Sequence, residues 1–494
     1  MAVKGWFGLP LFGQSPRPEV VSCTLSGGGS RAGFQLGALD YLYRHDEAFS
    51  PSIFVGASAG AIVASALAQD PTRDGQQRYL NRLTEIWMAM TGPADMFTPR
   101  PWFERLQAEA PGWLEVVTPI REAPARTSRP RAALLPFLRY SPGSPSSPAE
   151  PAPPPDPLEL ALTPDEDVRS DWSLTVLSGI ASHLGRLPRI GTGLSTIWQG
   201  MDRSRSMFRP GPMLAHLLDP DTFDPGRVAA SGVTLRIAMV SLESGELRFM
   251  TEAGTLVDRR NDPVDDTAHN LAVGVLASCA IPAVFRPVPL GDETYVDGGA
   301  RENLPAELTI GQLGAARNYV ISSQASGVPR RPSMVDADMF SVVMRATEIL
   351  IDEAGRDELA YAHSAGAIVI HPELGVHDSM TVHPGLIAIN RDYGWLRAAE
   401  RHLGLGESAE TLHRRITALR MRILRLEEQL LSNPEPARRD FLGLRSAKVE
   451  LRDAVRSTHG TPLPDGADSW WTTWERHPVP PSMQPPWMPL TPQA

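Results

Sequence analysis

Three consecutive glycines near the start of the chain are the first residues whose types and spacing point to chemistry. Gly27, Gly28 and Gly29 join an apolar run at 20–25 to an amphipathic run that begins at Phe34, which predicts a strand, a glycine loop and a helix. Glycines at the start of a helix let backbone N–H groups converge on one point, where the helix dipole adds positive charge. The loop therefore predicts a site for an anion, either a bound phosphate or a transient oxyanion.

A second motif, Gly56-Ala57-Ser58-Ala59-Gly60, stands between an apolar run at 53–55 and a helical pattern at 61–67. A G-x-S-x-G sequence between a strand and a helix is typical of a nucleophile elbow, a sharp turn from which the serine projects. The alternative is close packing of a Gly/Ala-rich helix on a strand. Because a separate glycine loop follows the preceding strand, we favour Ser58 as a nucleophile and that loop as its oxyanion hole.

Two phosphate-binding patterns compete for the glycine loop. The spacing Gly27-x-Gly29-x-x-Ala32 satisfies a dinucleotide fingerprint, and Asp46 follows at a suitable distance. In a dinucleotide-binding unit, however, the acidic residue comes at the end of the second strand, whereas Asp46 precedes that strand. A P-loop is excluded because Phe34 stands where a lysine should follow Gly33.

Asp297 is the candidate base for the serine. The run 293–296 predicts a short strand that ends in Asp297-Gly298-Gly299, a tight turn that presents the carboxylate at the strand edge. An ordinary Asp-Gly turn without a catalytic role is the alternative. A Ser-His-Asp triad fits less well, because the histidines that follow in the chain lie outside any motif; these are His363, His371, His377 and His383.

Taken in order, these motifs resemble those of the patatin-like phospholipases, which are serine acyl hydrolases with a Ser-Asp dyad. Gly27–Gly29 with Arg31 look like the oxyanion loop G-G-G-x-[K/R]-G of that family. Ser58 matches the family's nucleophile in G-x-S-x-G, and Asp297 matches its base in the D-G-[GA] turn. The resemblance therefore supplies a role for each of these residues.

A fourth segment extends the resemblance. Residues 277–285 are similar to the family's A-S-x-A-x-P-x-x-F, which precedes the aspartate turn. One residue departs from the family's pattern: Ala32 stands where the family usually has glycine after the basic residue. The resemblance covers residues 19–90 and 232–325.

The resemblance implies a lipid acyl hydrolase of phospholipase A or lysophospholipase type. Ser58 would form an acyl-enzyme with a fatty-acyl group, Asp297 would act as base, and neither a metal nor a cofactor would be required. The partner would be a lipid or a membrane surface, and Arg31 would bind the substrate phosphate or support the loop locally. Two alternatives stay open: a general carboxylesterase or lipase with a different base, and a non-catalytic lipid-binding or regulatory member of the fold.

Composition limits the partners and the compartment. The 494 residues carry a formal net charge of −10, which disfavours nucleic acid as a partner. The sequence shows no Sec signal and no apolar run of about 18 residues, the length that spans a bilayer. We therefore expect a cytoplasmic or peripheral membrane protein, in which Cys23 and Cys279 are buried thiols. The oligomeric state stays open.

Strand and helix patterns alternate along most of the chain, which predicts an α/β fold with a mostly parallel sheet flanked by helices. The glycine loop and Ser58 both fall at carboxyl ends of strands, where such sheets bind ligands. The predicted organisation is a flexible lead at 1–18, a catalytic domain at 19–325 with a variable insertion at 91–231 (proline-rich at 118–164), a helical extension of the core at 326–404, a helical hairpin at 405–460 and a Trp/Pro-rich tail at 461–494.

The hairpin is predicted from apolar residues at four-three spacing over 412–430 and 441–455, on either side of a Pro turn. Its first helix carries five arginines, among them Arg420. These arginines suit a membrane surface, although a solvated charged face is the interpretation that we favour. The tryptophans of the tail either pack on the body of the protein or contact lipid.

Overall fold

The computed structural model describes most of the chain outside the insertion. The described residues are 19–100, 206, 208–217, 219, 222–282, 284–325, 327, 333–335, 339–432 and 438–487. Predictions for the lead at 1–18 and for the proline-rich stretch at 118–164 lie outside these residues.

Strands and helices alternate along the described chain, as the sequence predicts. The strands are β1 (Val21–Leu25), β2 (Ile53–Ala57), β3 (Phe97–Pro99), β4 (Phe208–Pro210), β5 (Thr234–Ser241), β6 (Leu247–Thr251), β7 (Leu256–Val257), β8 (Val288–Leu290), β9 (Glu293–Asp297), β10 (Arg317–Ile321) and β11 (Ile368–Ile370). The α-helices are α1 (Ala32–His45), α2 (Ala59–Leu67), α3 (Arg73–Met88), α4 (Pro212–Leu217), α5 (Pro225–Ser231), α6 (Leu271–Ser278), α7 (Ala306–Gln312), α8 (Met339–Ser364), α9 (Pro384–Leu403), α10 (Glu407–Ser432) and α11 (Arg438–Arg456).

A nine-stranded mixed sheet forms the centre of the fold. Five neighbouring strands, in the order β11-β10-β1-β2-β5, run parallel, and the antiparallel strands β6 and β7 extend the sheet beyond β5. Strand β9 pairs antiparallel with the end of β5 and with β8. The sheet is thus mostly parallel in its central part and flanked by helices, which confirms the predicted fold class.

Both faces of the sheet are covered. Alternate side chains of strand β2 point to opposite faces and pack in different apolar clusters. Phe54 joins the large core that also holds Phe34 of α1 and Trp87 of α3. Val55 packs on the opposite face with a second cluster that includes Leu308 of α7. Burial on both faces explains the continuous apolar run in the sequence.

Helix α9 packs along α1 and shares the large core with the sheet. Glycines make the close approach possible: an added Cβ at Gly37 would lie 1.7 Å from the carbonyl oxygen of Arg391, and one at Gly394 would lie 1.9 Å from that of Phe34. The position of α9 matters for the site, since the loop that precedes it reaches the glycine loop.

The two C-terminal helices pack together as a hairpin around a core of their own. Ion pairs Arg415–Glu450 and Glu427–Lys448 join α10 to α11. In the described part of the tail, Trp470, Trp471 and Trp487 are buried against this hairpin, so these tryptophans pack on the body of the protein.

The expectation of a solvated arginine face on α10 is wrong for Arg420, which is buried. Its guanidinium donates to Asp392 of α9 at 2.5 Å and to Glu475 of the tail at 2.8 Å. It also lies 4.0 Å from the ring centroid of Trp470. The tail and α9 cover this face of α10. The spacing of apolar residues within α10 alone does not reveal that cover.

Candidate active site

Ser58 lies in a sharp turn between β2 and α2. Its φ of 51° places a residue with a side chain in a backbone region that normally favours glycine. Such conformations persist only where the surroundings impose them, and they cluster at functional sites. The neighbours leave little space, because an added Cβ at Gly60 would lie 2.5 Å from the carbonyl oxygens of Leu25 and Ser26. The G-x-S-x-G motif therefore has the geometry expected of a nucleophile elbow.

Residues at the end of α6 hold the Ser58 backbone. The Ser58 N–H donates to Ser278 Oγ at 2.9 Å, and the Ser278 hydroxyl donates to the carbonyl of Ala238 at 2.6 Å. The Cys279 thiol, which is free and buried, donates to the Ser58 carbonyl at 3.3 Å. The sequence analysis assigned no role to Ser278, although it lies in the segment that resembles the family.

Register along β5 explains how a residue far along the chain reaches Ser58. Ala57, the last residue of β2, pairs with Ala238, and Asp297, the last residue of β9, pairs with Met239. Since β6 occupies the other edge of β5 at these positions, β2 and β9 approach each other from opposite directions along the same edge. Their ends meet, which brings the Ser58 hydroxyl close enough to the Asp297 carboxylate to favour its ionised form.

The environment of Asp297 makes it a stronger base than an exposed aspartate. Burial raises its pKa from 3.8 to about 6, against the opposing effects of the hydrogen bonds from Ser58 and from the Gly299 N–H, which lies 2.8 Å from Oδ1. The charge of Asp297 in turn helps burial to raise the pKa of the Cys279 thiol. The carboxylate is therefore mostly ionised at neutral pH, with a pKa close to that pH.

The glycine loop lies beside Ser58, and its three N–H groups differ in whether they already have a hydrogen-bond acceptor. An added Cβ at Gly27 would lie 3.1 Å from Ser58 Cβ. The Gly27 N–H donates to the carbonyl of Asn303 at 2.9 Å, so it is already occupied. The N–H groups of Gly28 and Gly29 have no protein acceptor among the described residues. Of the three glycines that the sequence predicts for an oxyanion hole, only Gly28 and Gly29 therefore have N–H groups without an acceptor in the described part of the chain.

A loop before α9 covers the other side of the glycine loop. Ser30 donates through its N–H to the carbonyl of Ser379 at 3.0 Å and through its hydroxyl to that of Thr381 at 2.7 Å. Gly29, with a φ of 54°, approaches so closely that an added Cβ would lie 2.3 Å from the Ser379 carbonyl oxygen. Motif analysis did not find this loop, because its contacts are made mainly by backbone carbonyls.

Arg31 follows the loop at the start of α1. Burial lowers the pKa of its guanidinium, and the nearby charge of Asp378 opposes that shift. Its Nε atom is buried and has no hydrogen-bond partner among the described residues. The attraction to Asp378 gives Arg31 a local electrostatic partner in the loop before α9.

The described part of the chain offers neither a histidine nor a metal site beside the Ser58 hydroxyl. No histidine there forms a hydrogen bond or ion pair with Ser58 or Asp297. Across the same residues, no group of three or more His, Cys, Asp or Glu side chains is placed to hold a metal ion. None of the described helices combines the length and apolar character needed to cross a membrane.

Comparison with known proteins identifies the family. The family model for patatin-like phospholipases matches residues 24–310, more than half of the chain, and includes the glycine loop, Ser58 and Asp297. The chain belongs to the patatin-like phospholipase family. Membership makes it a lipid ester hydrolase whose substrates are lipids. A search of curated proteins finds no match.

Two solved bacterial proteins show a distant similarity to this patatin-like chain. VipD from Legionella pneumophila is 15% identical, with 92% of this chain and 84% of that chain covered and a TM-score of 0.28. The type III effector ExoU is 13% identical, with coverages of 93% and 73% and a TM-score of 0.23. ExoU in complex with SpcU, from Pseudomonas aeruginosa, is 16% identical, with coverages of 92% and 69% and a TM-score of 0.22. At such scores, membership rests on the family model.

Proposed function

We propose that the chain is a serine acyl hydrolase that cleaves fatty-acyl esters of phospholipids or lysophospholipids through a Ser58–Asp297 dyad. The observation that supports this most strongly is that Ser58, held at a φ of 51° in its turn, interacts with the buried Asp297 carboxylate, whose pKa is about 6. A serine hydroxyl is a weak nucleophile until a neighbouring base takes its proton. A base is most effective when its pKa lies near the working pH, and burial brings Asp297 toward that range.

In the acylation step, Ser58 Oγ attacks the ester carbonyl carbon while Asp297 accepts the hydroxyl proton. The carbonyl oxygen becomes an oxyanion, for which the N–H groups of Gly28 and Gly29 are the proposed donors. One such donor is worth roughly 3 kcal/mol in comparable sites. The tetrahedral intermediate then expels the alcohol of the lipid, which takes its proton from Asp297 and leaves the fatty-acyl group esterified to Ser58.

In deacylation, water is the nucleophile and Ser58 is the leaving group. Asp297, again ionised, accepts a proton from a water molecule that attacks the acyl carbonyl. The second tetrahedral intermediate then breaks its bond to Ser58 Oγ, which takes the proton back from Asp297, and the fatty acid is released. Every proton transfer is made by one carboxylate, so the proposed reaction requires no metal or cofactor.

The two other functions receive less support. A carboxylesterase with a histidine base would need a histidine in contact with Ser58 or Asp297, and no described histidine makes that contact. A purely lipid-binding protein has no need for a strained serine paired with a buried carboxylate. For Arg31 we propose local support of the glycine loop through Asp378, with binding of a lipid phosphate as the alternative.

The test is fatty-acid release from vesicles of phosphatidylcholine and phosphatidylglycerol in the presence of EDTA. We expect release by the wild type and none by Ser58→Ala or Asp297→Asn. The matched controls are Ser65→Ala and Asp292→Asn. The first removes a buried hydroxyl of α2 that has no hydrogen-bond partner in the part of the chain that the structure describes, and the second changes an exposed carboxylate before β9. Activity that survives Ser58→Ala would refute the proposal.

A small fluorophosphonate probe gives a second measurement that does not depend on the lipid. It should label Ser58 in the wild type and should fail to label Ser58→Ala. Labelling without lipid hydrolysis would mean that the nucleophile is competent and that the substrate class is wrong. Absence of both labelling and hydrolysis would favour the non-catalytic alternative.

A further inference from the structure

The carbonyl of Gly27 is held by three side chains beside the proposed oxyanion site. Ser323 Oγ and Ser26 Oγ donate to it, each at 2.9 Å, and Asn303 Nδ2 donates at 3.4 Å. A trans peptide unit is planar, with its C=O and N–H groups pointing in opposite directions. Holding the Gly27 carbonyl therefore also determines the direction of the Gly28 N–H, which points away from these donors.

Asn303 is itself held in place by helix α8. Its N–H donates to Glu358 Oε1 at 3.1 Å, and the N–H of Leu304 donates to Glu358 Oε2 at 2.9 Å. The carbonyl of Asn303 accepts the Gly27 N–H. Glu358 thus anchors the segment that contacts both the N–H and the carbonyl of Gly27.

Asn303 and Ser323 lie so close to the glycine loop that only glycine fits at positions 27 and 28. An added Cβ at Gly27 would lie 2.2 Å from Asn303 Oδ1, and one at Gly28 would lie 2.0 Å from Ser323 Oγ. Any side chain at either position would displace the residues that hold the loop. The glycines therefore serve the positioning contacts as well as the conformation of the loop.

We infer that Ser323 and Glu358 are positioning residues of the hydrolase: Ser323 directly, and Glu358 through Asn303, hold the Gly27–Gly28 peptide so that the Gly28 N–H faces the oxyanion. The inference rests on the proposed function of Ser58. Neither residue touches the reacting atoms, so both should affect the rate of the chemical step more than the binding of lipid. Burial raises the pKa of Glu358 to about 8, and the charge of Glu302 adds to that shift, but the two backbone donors lower it.

The first variant is Ser323→Ala, which removes only the hydroxyl. We expect kcat for fatty-acid release and the rate of fluorophosphonate labelling of Ser58 to fall about three- to tenfold, with KM changed less than about twofold. The matched control is Ser322→Ala, a neighbouring buried serine whose hydroxyl accepts the Gln324 N–H and makes no contact with the glycine loop. The control should retain the wild-type values.

The second variant, Glu358→Gln, replaces one of the two accepting oxygens with an amide that cannot accept. Hydrogen exchange, followed by mass spectrometry, should become faster in peptides that contain Asn303 and Leu304 and in the peptide 25–31, while strand β5 stays protected. Glu353→Gln, on the exposed face of α8, is the control. If Glu358→Gln does not fold, protection of the Asn303 and Leu304 amides in the wild type still tests the anchor, and rapid exchange there would contradict it.

The failures of the two proposals can be told apart. A wild type that neither hydrolyses lipid nor labels at Ser58 would refute the proposed function. An active wild type whose kcat and labelling rate are unchanged by Ser323→Ala, or whose exchange at 25–31 is unchanged by Glu358→Gln, would overturn the positioning role while leaving the dyad intact.

Discussion

Asp297→Asn should abolish hydrolysis and at the same time stabilise the protein at neutral and alkaline pH. The pKa of Asp297 is raised from 3.8 to about 6 by burial, so the folded state binds this proton more tightly than the unfolded state does. Between these two pKa values the unfolded chain is ionised while the folded carboxyl is still protonated, and stability falls as the pH rises. Well above pH 6 both states are ionised, and the folded protein has lost the full amount of stability that the pKa difference represents.

The size of the effect follows from the shift. A difference of about two pKa units corresponds to about 3 kcal/mol, which the wild type loses above pH 6. An asparagine has no proton to release, so the variant should gain up to about 3 kcal/mol at pH 8. Most of that gain should vanish near pH 4, because most of the wild type's loss of stability develops between about pH 4 and pH 6.

Urea unfolding followed by tryptophan fluorescence at pH 4, 6 and 8 measures this difference in free energy of unfolding. The control is Asp292→Asn, which neutralises an exposed carboxylate before β9 and removes no buried charge. A difference between Asp297→Asn and the wild type that does not grow with pH would refute the reasoning. Such a result would mean that hydrogen bonds from Ser58 and Gly299 offset the burial of the carboxylate.

Three further predictions concern Ser58, the pH dependence of Asp297 and the ion pairs of the C-terminal hairpin. Ser58→Gly should raise the free energy of unfolding by about 1 kcal/mol in urea titrations, since glycine adopts the positive φ without strain, and should abolish hydrolysis. In the wild type, kcat/KM should rise with pH through about 6 as Asp297 ionises, and a flat profile between pH 5 and 7 would contradict its role as base. Lys448→Met should lower the free energy of unfolding by about 3 kcal/mol, because it removes the ammonium group that pairs with Oε1 of the buried Glu427 carboxylate. Arg415→Met, at an exposed pair, should cost less than about 1 kcal/mol.

The elements of the site that depend on short stretches of sequence were predictable. A strand, a turn of small residues and a helix define the position of Ser58, and the glycine loop before α1 is equally local. The fold class followed from the alternation of strand and helix patterns. Pairing Ser58 with Asp297 needed the resemblance to a family, because the register of β2 and β9 along β5 is not visible in either segment alone.

Other features were not predictable because no pattern marks them. Ser323 lies outside any motif, and the family-like segment that contains Ser278 does not indicate its contact. Their partners Gly27 and Ser58 lie 296 and 220 positions away in the chain. Arg420 has the spacing of a surface residue on α10, yet α9 and the tail bury it. In each case, tertiary packing decides the role of the residue.

Burial links the chemistry of the site to its stability. The dry surroundings that raise the pKa of Asp297 also strengthen any hydrogen bond from the Gly28 and Gly29 N–H groups to an oxyanion, because little solvent competes for it. The same surroundings make the ionised carboxylate costly in the resting protein. A substitution that admitted water beside Asp297 should therefore lower its pKa and increase stability above pH 6, while weakening both the base and the oxyanion hole.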